Sequence, residues 1–335
     1  MSVVIDPSFD PVPSLAQTTD VTIGSAADVA AAPVRACFIA AEGELPSCER
    51  LTGITREALA AAGFTGKPGQ TLRLPGETLC VLVGTGEGLK TAAKLRDAVA
   101  AFTRAANEAP KLALDLAEVV SAELSARDAA LAATEGAVLA RYRFESLKGE
   151  SKHVALESML LGAADSDAAA AQEGVDRGLV LARTAAISRD LGNAPPRHLS
   201  AEKFAEIAEK LGPEYGLEVE IFDREALIEL GTGGLLGVNA GSVEEPRMIK
   251  LRYHPEGRDR RDPAPCPRWQ GHHVRLGRGE PEARELDGQH EDGHDGRRRG
   301  IRLDALAARA RRRQRRHRLA HVHRQHALGH RDEDR

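Results

Sequence analysis

Arg189-Asp190-Leu191-Gly192-Asn193-Ala194-Pro195-Pro196-Arg197-His198-Leu199-Ser200 is the stretch from which the architecture can be read. Proline has no amide donor and pushes the residue before it out of the helical region. Asn193-Ala194-Pro195-Pro196 therefore stops the long helical pattern that runs from Ala168 to Leu191. Ser200 can then cap a new helix over Ala201–Leu211, with Lys203 rather than a capping-box glutamate at the third position. Upstream, the apolar runs Val34–Ala40 and Leu79–Val83 read as strands covered on both faces. Lys111–Leu116 and Val154–Leu161 read as further strands, and Thr91–Ala106 and Leu124–Tyr142 as helices, while residues 1–20 read as a short strand and loops. Downstream follow a strand over Leu217–Phe222, a short helix over Arg224–Leu230, a tight turn over Gly233–Gly237 and a strand over Met248–Tyr253. Strands alternating with helices on either side of the proline stop give two α/β units joined by a helix.

Charge divides the chain a second time. Residues 1–257 hold 25 Lys and Arg against 37 Asp and Glu, a net of −12. Residues 258–335 hold 21 Arg, no Lys and 13 acidic residues, a net of +8, with 9 of the 12 histidines and no Ser, Thr, Asn, Phe, Tyr or Met. Cys37, Cys48, Cys80 and Cys266 are spaced for neither a disulfide framework nor a zinc site, which suits a reducing cytoplasm. With no signal peptide and no membrane-length apolar run, a cytoplasmic protein without a membrane partner is expected.

Gly84-Thr85-Gly86-Glu87-Gly88-Leu89-Lys90-Thr91 lies between a strand and a helix, where backbone amides can cradle phosphate. Its spacing fails both nucleotide patterns. Leu89 separates Gly88 from Lys90 and also occupies the last glycine position of the dinucleotide fingerprint. A structural strand-to-helix turn is the preferred reading.

Three stretches carry a resemblance. Glu135-Gly136 through Leu139, Tyr142 and Phe144 resembles the E-G-x-x-L-x-x-Y-x-F of the leucyl (cytosol) aminopeptidase family. Arg189–Ser200 resembles that family's R-D-L-x-N-x-P-P-x-x-L-T. Leu230–Ser242, with Glu245-Pro246-Arg247-Met248, resembles its L-G-M-G-x-L-L-x-V-x-x-G-S and P-P-R-x. The likeness covers roughly residues 1–257. It implies an α/β fold class: a macro-like three-layer N-terminal domain over 1–165, a linker helix over 166–193 and an incomplete α/β catalytic domain over 194–257. It also implies peptide substrates and two divalent metals, manganese or zinc, held by Lys, Asp and Glu. The intact family is usually a homohexamer, an assembly that an unfinished catalytic domain does not favour here.

The family's metal motifs, G-K-G-x-T-F-D-S-G-G, M-K-x-D-M and N-T-D-A-E-G-R, are absent from the written chain. Sliding the codons forward by one nucleotide recovers the first. Trp269 must be TGG and Gln270 begins with C, giving glycine. Continuing through Arg278, codons for this sequence permit G-K-G-I-T-F-D-S-G-G. Under the same offset Glu280–Glu282 permits S-L-K, His290–His294 permits M-K-T-D-M or M-K-M-D-M, and His323–His330 permits T-D-N-M-P-S-G-T. Degeneracy makes any one residue uninformative; a single offset returning four motifs in family order is the signal. Pro265–Arg268 permits the strand before the lysine, so the slip is placed between Gly257 and Pro265. On this reading Gln270 and Arg275 stand where the metal-binding lysine and aspartate should be coded. No catalytic, cofactor-binding or metal-ligating residue is assigned in the written chain.

Taken as written, Arg309–Arg318 is a basic run without the interleaved aromatics that stack bases. His321, His323, His326 and His330 have the make-up of a weak metal tract. The preferred reading of 258–335 is a disordered Arg/His-rich tail with too little apolar surface to fold and no specific nucleic-acid partner. The alternative function is a non-catalytic macro-like binding module with a basic nucleic-acid-binding tail.

Overall fold

The computed structural model describes residues 9–46, 51–148 and 150–254, which belong to one compact unit. The expectations for residues 258–335, including Gln270, Arg275, the basic run and the histidine tract, lie outside the described residues.

A six-stranded sheet organises residues 20–162. Its strands are β1 (Asp20–Gly24), β2 (Val34–Ala40), β3 (Thr71–Leu74), β4 (Leu79–Gly86), β5 (Lys111–Asp115) and β6 (Ser158–Gly162). They lie in the order β1-β6-β5-β2-β4-β3. All neighbours are parallel except β3, which runs antiparallel to β4 at the edge. The pleat of β4 explains its unbroken apolar sequence. Val81 and Val83 enter the larger core cluster, and Cys80 and Leu82 enter the smaller one on the opposite face. In β2, Val34 joins the larger cluster while Cys37 and Ile39 join the smaller. Both faces are thus covered, as the sequence reading requires of a three-layer α/β domain.

On the larger cluster's side pack α3 (Ala92–Ala105), α4 (Ala126–Ala140) and α5 (Ala168–Asn193). Each first turn of α3 and α4 is closed by a hydroxyl: Thr91 Oγ1 accepts from the Lys94 amide, and Ser125 Oγ from the Asp128 amide. The smaller cluster is closed by Leu51, Phe64 and Leu59 of α2 (Arg56–Ala61). A short helix, α1 (Ala26–Ala31), follows β1 behind a capping box between Ser25 and Asp28.

Helix α5 ends at Asn193, two residues before Pro195. Helix α6 (Ala201–Glu214) then opens under a Ser200 cap that accepts from the Lys203 amide, as expected. It runs past Leu211 and tolerates Pro213 in its last turn. Strands β7 (Leu217–Phe222) and β8 (Met248–Tyr253) pair antiparallel as a separate two-stranded sheet. Between them lie α7 (Arg224–Glu229) and α8 (Gly233–Asn239).

Several local expectations need correction. Gly233–Gly237 is helix rather than a tight turn, because the Thr232 carbonyl accepts from the amides of both Leu235 and Leu236 and so propagates. Strand β6 begins at Ser158, not Val154; the Val154 carbonyl is taken by the Arg141 guanidinium instead of a neighbouring strand. The first described strand starts at Asp20, and a single 3-10 turn, Pro13–Leu15, stands before it. Helices α1 and α2 and strand β3 were not foreseen.

Candidate functional site: motif joints and a cationic cleft

The glycine loop is structural. The Gly84 amide donates to the Gln70 carbonyl, that of Gly86 to the Gly66 carbonyl and that of Gly88 to the Thr85 carbonyl. These amides are therefore committed and cannot cradle a phosphate. A Cβ at Gly84 would stand 2.1 Å from the Lys67 carbonyl oxygen, so glycine is needed there to let the 66–70 segment cross the strand. Gly86 adds a left-handed φ of 63°.

The three sequence motifs converge on joints. Asn193 Nδ2 at the end of α5 donates to the Tyr142 hydroxyl at 2.9 Å, and the Arg189 guanidinium lies 5.4 Å from the Tyr142 ring centroid. Asp190 is fully buried and accepts from the Ser14 amide at 2.8 Å, pinning the Pro13–Leu15 turn onto α5. His198 stacks on Phe9 with centroids 4.1 Å apart, and Phe9 meets Phe144 edge-on at 6.3 Å. The first and second motifs thus lock α4, α5 and the N-terminal segment together. In the third, Gly231 turns the chain in the left-handed region and the Thr232 hydroxyl donates to the Leu227 carbonyl at 2.8 Å, closing α7. These contacts are architectural; none of them aims a nucleophile or general base at a cleft.

A dinuclear metal centre does not fit this part of the chain. Among the described residues, no three His, Cys, Asp or Glu side chains cluster in a way that could hold a metal ion. The buried carboxylate, Asp190, is engaged by Ser14.

A cleft of about 700 Å³ opens where the end of α3, the end of α4 and the segment 143–154 meet. Arg104, Arg141, Arg143, Lys148, Lys152 and His153 line it, with Glu145 and Glu150 as its acids. At the floor, Arg141 is only 5% exposed. Its guanidinium donates to the carbonyls of Thr103 (3.1 Å), Ala106 (2.5 Å), Ala109 (2.9 Å) and Val154 (2.7 Å). Two of these carbonyls, Thr103 and Ala106, belong to the C-terminal end of α3, where helices leave acceptors unpaired and cations are favoured. Burial, and then the Arg143 charge, lower the Arg141 pKa from its ordinary value. Burial and Arg143 likewise hold the His153 imidazole below the usual histidine range. A hydrogen bond from Ser151, with Lys148 close by, lowers the Glu145 carboxyl. Sequence reading missed this cleft, because its cations come from positions 104 to 152 and form no motif.

Comparison with known proteins adds the following. The profile described as "Cytosol aminopeptidase family, N-terminal domain" matches residues 37–151. The one described as "Cytosol aminopeptidase family, catalytic domain" matches residues 186–264. A probable cytosol aminopeptidase of Chlorobaculum tepidum is 34% identical over 193 residues, covering 53% of this chain and 38% of the relative. One of Mycobacterium sp. (strain JLS) is 38% identical over 201 residues, covering 58% and 38%. This chain spans about two fifths of the length of the curated relatives it matches. Among solved structures, the bottromycin maturation enzyme BotP in complex with Mn aligns with a TM-score of 0.55 at 31% identity, over 67% of this chain and 46% of that one. A tomato leucine aminopeptidase mutant aligns with a TM-score of 0.63 over 72% and 52%; at 22% identity it speaks for the fold alone.

Proposed function

The chain belongs to the cytosol aminopeptidase family, and from that premise we propose that the intact protein removes N-terminal residues from peptides by metal-assisted hydrolysis, an activity that this polypeptide as written has lost. One observation carries the second half. The catalytic-domain likeness stops at residue 264, inside the Gly257–Pro265 interval where the codon argument places the slip. The end of the profile match and the codon arithmetic, both drawn from likeness to the same family, fall within a few residues of each other, which supports this reading.

The domain limits at 165, 193 and 257 belong to the same proposal, as does a cytoplasmic location. Among the described residues no helix is long and apolar enough to cross a membrane. In the intact protein, two divalent ions, manganese or zinc, would polarise the scissile carbonyl and lower the pKa of the attacking water. The written chain offers Gln270 and Arg275 at the two coding positions where the first motif's lysine and aspartate fall in the neighbouring frame. A guanidinium cannot stand in for a carboxylate beside two divalent ions, since ligand and charge compensation disappear together.

Sequencing the DNA across codons 255–266 tests the frame directly: an uninterrupted frame giving the written residues, confirmed on independent template, removes the premise. The enzymatic arm uses leucine p-nitroanilide with added manganese. The polypeptide as written should give no rate above background, and restoring the frame by one nucleotide should give metal-dependent hydrolysis.

A further inference from the structure

The cleft at the junction of α3 and α4 gathers five permanent cations and two carboxylates in one recess. Some cations elsewhere in the fold sit beside carboxylates, as Arg73 does with Glu108, Arg96 with Glu135, Arg127 with Glu173 and Lys250 with Glu220, but what sets the cleft apart is that its cations converge on one recess. Of the cleft's five permanent cations, Lys148 alone has such a partner, Glu145 at 3.4 Å. Arg104 and Lys152 pair with no carboxylate among the described residues, and Arg143 donates only to the Tyr142 carbonyl at 2.8 Å. Arg141 is satisfied by carbonyl dipoles, which fill its donors while leaving its net charge in place. Five cations face two carboxylates in a concave wall, on a segment, residues 1–257, whose net charge is −12. A recess lined by one sign of charge with low-dielectric walls focuses field and concentrates counter-ions. Guanidinium groups present planar donor forks that match phosphate oxygens.

We propose that this cleft, with Arg104, Arg143 and Lys152 as its free donors above the buried Arg141, is a binding site for a small, multiply charged phosphate compound of the diphosphate or triphosphate class. The shape argues for a small molecule: about 700 Å³ is the size of a ligand pocket rather than of a polymer track. The chemistry argues for an oxyanion, because Ala140 and Val154 are the only lining residues with apolar side chains and most of the others are cationic. The site stands on the N-terminal domain's own residues and does not depend on the peptidase reading.

The test must report from the cleft itself, since the 21 arginines of residues 258–335 will also attract anions. His153 lines the cleft and provides that reporter. In the full-length chain, the imidazole proton resonance that vanishes in His153→Gln is followed at constant ionic strength while inorganic pyrophosphate, tripolyphosphate or ADP is added. Saturable shifts are expected with either inorganic compound, and the imidazole pKa should rise as the anion binds beside it. An affinity for ADP equal to that for pyrophosphate assigns the diphosphate alone as the ligand. A tighter one assigns a nucleotide. In Arg143→Ser/Lys152→Ser the affinity should fall about tenfold or more, one charge-assisted hydrogen bond being worth a factor of that order. Both side chains are exposed, so the double variant should keep its fold, checked by an unchanged Tm. No saturable shift, a shift matched by chloride at equal ionic strength, or a shift retained in the double variant overturns the proposal.

Discussion

Arg141 shows how much one residue does here. It lies in the first family-like motif, which by resemblance alone could be taken for a functional signature. Its side chain instead gathers four backbone carbonyls from two separate stretches of chain, 103–109 and Val154. Replacing it with methionine keeps most of the volume and removes a donor from all four acceptors, of which the Ala106 carbonyl keeps the Ala109 amide as a partner. We expect a loss of about 3 kcal/mol or more in urea denaturation, because buried acceptors left unpaired bear the full desolvation cost. Arg141→Lys should rescue little, since a compact ammonium cannot span the fork. His153 makes a prediction of opposite character. Burial and the Arg143 charge hold its folded pKa below the ordinary 6.5, so in the interval between the two values the unfolded chain binds the proton more readily. Stability contributed by the neutral imidazole is complete above that ordinary value and is lost as pH falls toward the folded one. Thermal melts between about pH 8 and about pH 5 should show this decline, smaller in Arg143→Ser and absent in His153→Gln. A decline unchanged in His153→Gln would assign it to another group.

At the scale of elements, the decisive contact is that of α4 with α5. The buried face of α5 is made of Ala171, Gly174, Val175, Gly178, Ala182 and Ala186, small residues at helical spacing that bring the two backbones close. A Cβ at Gly174 would come within 2.1 Å of the Arg127 carbonyl oxygen, whereas one at Gly192, in the same helix, meets nothing within 4 Å. Both substitutions to alanine improve helix propensity equally. Gly192→Ala should therefore stabilise by about 0.5–1 kcal/mol, and Gly174→Ala should cost about 1–3 kcal/mol as the helices are forced apart. Equal effects from the two would mean that the close packing is not as described. The same comparison explains what the sequence disclosed. Strands β2 and β4 and helices α3, α4 and α5 were legible because both-face burial and helical spacing leave continuous patterns. Strand β3 was not, since four residues at a sheet edge alternate exposed and half-buried and give a weak signal. Helix α8 was hidden because Gly233, Gly234 and Gly237 suggest a turn, and it buries no residue that would mark a face. The cleft was illegible for a different reason: its charges meet only after α3 and α4 pack.

For the molecule as a whole, burial is unevenly shared. Of the buried apolar residues among those described, only Leu199, Ala205 and Leu227 lie beyond the end of α5. The same stretch leaves Tyr215, Ile228, Leu230, Val238, Val243, Leu251 and Tyr253 largely exposed. Two antiparallel strands with so small a core are marginal in water, since three or more strands or a packed helix layer are needed for independent stability. The sheet of residues 20–162 has both. Local opening free energy should therefore drop sharply after Asn193. Limited trypsin digestion offers Arg197, Lys203, Lys210 and Arg224 as early sites beyond that boundary. The expected outcome is a long-lived fragment ending near Arg197, with residues 198–254 degraded at least about tenfold faster, a ratio that corresponds to about 1.4 kcal/mol of opening free energy. On the proposed frameshift, a polypeptide with the frame shifted by one nucleotide should protect both halves alike, because further catalytic-domain sequence would cover those side chains. If residues 198–254 of the written chain resist as long as the N-terminal sheet does, the exposed apolar side chains are already covered and this account of uneven stability is wrong.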